Sequence, residues 1–185
     1  MSPESREVRY ELARSRARGL LTLIRQKPPV DVQAIIELAG IPVVERVLID
    51  GMRGTIGDVA GLRSIILNRH HRFSSEQERR WVLAEELAPG KPTMGLLEER
   101  RVFYSGTSSW ATNSWRAHER EARAFAAELP MPFRELRKRW FAISQEHPVE
   151  GELSTEGRAE RLATEFGVTA AAMRVRFQQM RLIPA

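Results

Sequence analysis

Apolar positions repeat at helical spacing at the start of the chain: Val8, Leu12, Ala13, Ala17, Leu20 and Ile24 step by three, four and seven residues. Ser2-Pro3-Glu4 reads as the start of that helix, with a capping hydroxyl followed by proline, and Pro28-Pro29 ends it. Asp31 is placed to cap a short helix through Leu38, closed by Gly40. The period then shortens. Residues 42–49, 52–59 and 62–68 read as three short strands, with Asp50-Gly51 as a turn between the first two. Strands this short with turns this close predict an antiparallel meander.

Beyond residue 70 the pattern is almost wholly helical. Ser75-Glu76-Gln77-Glu78 matches a capping box and opens a helix that must stop near Pro89-Gly90. Residues 90–111 form a long connection. Asn113 or Ser114 is expected to cap a helix over 115–129, and Pro132 starts another to about Ser144. Two short helices follow, around 155–166 and 169–182, split by Gly167-Val168. The expected fold class is therefore α+β: a small antiparallel three-stranded sheet with helices and an all-helical C-terminal half. The expected boundaries are a domain over 1–146 and terminal helices over 152–185.

Composition narrows the chemistry. Lys and Arg total 29 against 24 Asp and Glu, a formal charge of +5, and only Lys27, Lys91 and Lys138 are lysines. An arginine excess suits carboxylate and phosphate pairing. There is no cysteine, which excludes disulfides, thiolate metal sites and thiol nucleophiles. No stretch reaches the ~20 apolar residues that a membrane span needs, and residues 1–26 carry charge where a signal peptide would be apolar. A cytoplasmic protein with no membrane partner is the expectation. No P-loop, dinucleotide fingerprint or serine elbow is present.

Three strings carry a resemblance. One is Arg79-Arg80-Trp81-Val82-Leu83-Ala84-Glu85-Glu86-Leu87-Ala88-Pro89. The second runs from Glu119 through Phe125-Ala126-Ala127-Glu128-Leu129-Pro130-Met131-Pro132. The third is the tail, Arg161 to Thr169 with Met173 and Arg176. Together they make the chain similar to the ImmA/IrrE metallopeptidases, zinc enzymes that cut a helix-turn-helix repressor in phage, mobile-element or stress-response circuits. The resemblance implies a zincin-like plan and a helix reading His-Glu-x-x-His. Laid on this sequence, the first zinc histidine falls on Glu85, the general base on Glu86 and the second histidine on Pro89. The third ligand falls on Glu119, or on Glu121 in the neighbouring register.

The departure has chemical consequences. Histidines at i and i+4 share a helix face and can reach one Zn²⁺, which lowers the pKa of its bound water to about 7. Proline offers no donor, and carboxylates without imidazole are a poor zinc set. No zinc is therefore expected, and Glu86 keeps only the base position. The implied function is a catalytically degenerate homologue, a pseudopeptidase that binds a helix-turn-helix transcription regulator instead of cutting it. A rebuilt metal site from His118, Glu119 and Glu85, with cleavage retained, is one alternative. Carboxylates left around a vanished cation repel; either an arginine fills the site, with Arg116 and Arg123, each one turn from Glu119, as candidates, or the site has opened. The other alternative is a DNA-binding regulator. The tail looks like a helix-turn-helix whose second helix carries Arg174, Arg176 and Arg181 as candidate DNA contacts. Trp140, after a basic run, is expected to pack a terminal helix, and Trp110 bears on binding only if it is exposed.

Overall fold

A computed structural model describes residues 8–89, 109–146 and 154–184. The elements among them are α1 (Tyr10–Ile24), α2 (Val32–Leu38), β1 (Val43–Arg46), β2 (Gly54–Val59), β3 (Leu62–Asn68), α3 (Glu76–Leu87), α4 (Ser109–Glu128), α5 (Phe133–Glu146), α6 (Thr155–Phe166) and α7 (Ala170–Gln179). The fold class is α+β. The helix start at Ser2-Pro3-Glu4 and most of the 90–111 connection lie outside the described residues. The chain forms two compact units, Met1–Ala17 with Val32–Ala126, and Arg18–Asp31 with Ala127–Ala185, so the division falls within α1 and α4.

In the first unit the strand order is β1-β3-β2. β2 and β3 are antiparallel, Val59 opposite Leu62, across a two-residue turn in which Ala60 and Gly61 both take positive φ. The Asp58 carboxylate accepts the Gly61 N–H at 2.9 Å. β1 pairs with β3 in parallel, Val43 opposite Ile65, which corrects the expected all-antiparallel meander. The reason lies in β3. Ser64 to Asn68 are all buried, so this strand takes the centre, while β1 has an exposed second half and takes an edge. Asp50-Gly51 does turn the chain, with Met52 N–H donating to the Ile49 carbonyl, but it carries the chain across the sheet and joins no paired strands.

Asn68 ties off the end of β3. Its amide donates to the Met52 carbonyl at 2.8 Å and its carbonyl accepts from Leu48 and His70 N–H at 3.2 and 3.1 Å. α3 packs on β2, β3 and α2. Gly54 is what permits the approach: a Cβ there would sit 2.8 Å from a Val82 methyl, below any real contact.

In the second unit α6 packs against α5 and α7. α6 ends in a Schellman motif: Gly167 is left-handed, its N–H bonds the Thr164 carbonyl, and Val168 N–H bonds that of Ala163. Thr169 caps α7 by accepting from Ala172 N–H. Trp140 does pack a terminal helix, its ring meeting Phe177 of α7 edge-on at 4.6 Å, with the Arg158 guanidinium 4.8 Å from its ring centroid. α4 begins at Ser109, so Asn113 and Ser114 lie inside the helix and do not cap it.

Candidate functional site

The site is organised on α3. Ser75 caps it, accepting from Glu78 N–H at 3.1 Å. Glu78 reaches back one residue further than a capping box requires, accepting from Ser74 N–H at 2.7 Å and from its hydroxyl at 2.8 Å. His71 Nε2 lies 3.2 Å from Glu78 and Arg53 lies 3.9 Å from it. The Ser74 backbone N–H, then its hydroxyl, then His71 hold the Glu78 carboxyl down to about 2 from the ordinary 4.5, with burial opposing. The folded-state pKa lies below the unfolded one, so this stabilisation is complete above pH 4.5 and is lost as pH falls towards 2. Glu78→Gln is expected to lower stability at pH 7 and to remove part of the decline between pH 4.5 and 2. Urea midpoints of both proteins across that range check this.

About two turns along the helix from Glu78, Glu85 and Glu86 are buried, at 7% and 3% exposure. Glu85 is held between two guanidiniums. Arg53 Nη2, from the residue just before β2, donates to Oε2 at 3.1 Å, and Arg123 Nε of α4 lies 3.7 Å from Oε1. Burying a carboxylate is costly unless it is paired, and the two guanidiniums supply that pairing. Arg123 was one of the two arginines expected here. Arg116 is exposed; Arg53, on the loop before β2, is not among the arginines expected from the sequence. Pro89 lies exposed after the end of α3, its carbonyl 3.4 Å from Arg16 Nη1.

The α4 acids are placed differently from one another. Glu119 is half-buried. Glu121, the alternative register, is buried and accepts both the backbone N–H and Nε of Arg9, at 3.0 and 3.3 Å. Among the described residues no three His, Asp or Glu side chains form a group able to hold a metal, and this includes His118. The two positions at which the resemblance implies zinc histidines do not suit zinc: Pro89 has no donor, and both Glu85 oxygens face arginines.

The tail corrects one of the candidate DNA contacts. Arg176 is 2% exposed, and its guanidinium donates to the Met131 carbonyl at 3.2 and 3.0 Å and to the Glu128 carboxylate. Buried there, it has no reach into a groove. Glu128 is fully buried and also accepts from Phe133 N–H at 3.1 Å and from Arg18 at 3.2 Å. It therefore caps α5 while neutralising Arg176. Glu128 and Met131, in the second string of the resemblance, and Arg176, in the third, thus make one interlocked structure. Arg174 is partly exposed and pairs with Glu156 of α6. Arg181 is exposed and sits at the left-handed position closing α7.

A transcriptional regulator from Mycobacterium tuberculosis has a similar structure, with a TM-score of 0.55 at 16% identity over 90% of this chain and 46% of that one. The chain thus spans about half of that protein's length. No curated protein matches the sequence significantly. Residues 39–178 match the IrrE N-terminal-like domain family, named Peptidase_M78, a match that runs from before β1 into α7 and takes in both α3 and the Glu128–Arg176 knot. The chain belongs to that family.

Proposed function

We propose that this chain is a non-cutting member of its family, a pseudopeptidase that regulates by binding a protein, with a helix-turn-helix transcription regulator as the partner class. The clasp of Glu85 between Arg53 and Arg123 is the observation that carries the reading. Two guanidiniums occupy the electrostatic place of a divalent cation, and proline stands at the second histidine position. Without a metal, Glu86 would have to deprotonate ordinary water of pKa about 15.7, which a carboxylate cannot do at a useful rate. The family membership and the regulator-like fold support a regulatory role.

A second reading, DNA binding through α6 and α7, draws on the short helix, the Gly167 turn and a second helix that carries the partly exposed Arg174, with Arg181 exposed just beyond its end. One experiment separates the two. The purified chain is incubated with candidate repressors and with duplex DNA at rising salt. Binding a repressor without cleaving it is the expected result. Cleavage would refute the non-cutting reading, and steep salt-dependent retention on DNA alone would favour the second.

A further inference from the structure

α5 has two unlike faces. Leu136, Trp140 and Ile143 are buried. On the outside, Phe133, Arg137 and Phe141 follow one another at four-residue steps, a single stripe along the helix. Phe133 is 36% exposed and Phe141 51%. Arg134 and Lys138 are exposed in the adjacent row, and among the described residues neither makes an ion pair. Two aromatic knobs about 12 Å apart along the axis, flanked by exposed cations, are more than solvation of a helix face requires.

We infer that this outer face of α5 docks an acidic amphipathic helix of a protein partner. Aromatic residues and arginine are the side chains enriched at protein interfaces. Two turns of a partner helix also span about 11 Å, so apolar residues two turns apart meet Phe133 and Phe141 while carboxylates between them meet Arg134, Arg137 and Lys138. A second copy of the chain is the wrong occupant, since a two-fold contact would set the three cations against themselves. Nucleic acid fits less well. The Arg137 guanidinium lies 5.9 Å from the Phe141 ring centroid, over the face on which a base would stack. A bilayer fits less well too, because the broad apolar stripe that an interfacial helix would bury is already spent on the core. The inference stands apart from the Glu85 site and holds whether or not the chain cuts.

The test uses the full chain and a synthetic helical peptide with Leu at the a and d heptad positions and Glu at the flanking ones. The peptide should bind, and both Arg137→Glu with Lys138→Glu and Phe133→Ala with Phe141→Ala should weaken binding about tenfold or more. The helical circular dichroism of both variants should match the parent, since all four side chains are exposed. Absence of binding, or binding unchanged in both variants, would overturn the inference. So would variant-sensitive binding of an oligo-dT strand or a phosphatidylglycerol vesicle in place of the peptide.

Discussion

Glu128→Ala should be among the most damaging single substitutions in the chain, lowering stability by about 3–5 kcal/mol. Three losses combine. The fully buried Arg176 is left charged without its carboxylate, Arg18 loses a partner, and the Phe133 N–H that opens α5 loses its acceptor. For a chain of this size each kcal/mol lowers the melting temperature by about 2–4 °C. The control is the double change Glu128→Leu with Arg176→Met, which removes both charges and should recover most of the loss, because a buried ion pair adds little net stability over well-packed apolar groups. Equal damage from the single and double changes would show that the pairing is not what the two residues contribute.

Arg53→Ala should cost less, about 1–3 kcal/mol, because Arg53 is itself 37% exposed and Arg123 still lies 3.7 Å from the other Glu85 oxygen. The cost comes mostly from Glu85, a 7% exposed carboxylate left with one distant cation. Glu85→Leu in the Arg53→Ala background should therefore restore stability, and a double-mutant cycle should return a coupling of about 1–2 kcal/mol. A coupling near zero would mean that the arginines merely rest on the surface and that Glu85 is stabilised otherwise.

Local signals in the sequence carried well. Ser75, Gly40 and Gly167 each mark a helix end, because capping involves only residues a few positions away. The extents of α2, α3 and α6 follow within a residue or two. Pairings that depend on distant residues did not carry. The parallel β1–β3 ladder depends on which strand is buried most, and no turn motif encodes that. The start of α4 at Ser109 overrides two good capping residues, since a helix continues past Asn and Ser when the preceding residues also favour it.

The charged core positions were legible in principle. Arg176 occupies the i+3 place after the buried Met173 and beside Phe177, and Glu128 the i+3 place after Phe125 and beside Leu129. A charge of each sign at a core position on two helices is the mark of a buried pair, and it separates Arg176 from the solvated Arg174 and Arg181. In the candidate site, helical spacing to Glu119 named Arg123 as one of two candidate arginines, but not its pairing with Glu85 on another helix. Arg53 was not among the candidates, because it lies on no helix and no periodicity relates it to Glu85.

The most direct test is the zinc content of the purified full chain, measured by elemental mass spectrometry alongside its melting temperature with and without a chelator. Far less than one zinc per chain, and a melting temperature that the chelator leaves alone, is the expected result. One firmly held zinc per chain, with chelator-sensitive stability, would contradict the arginine-clasped, non-cutting site and return Glu86 to the role of a catalytic base.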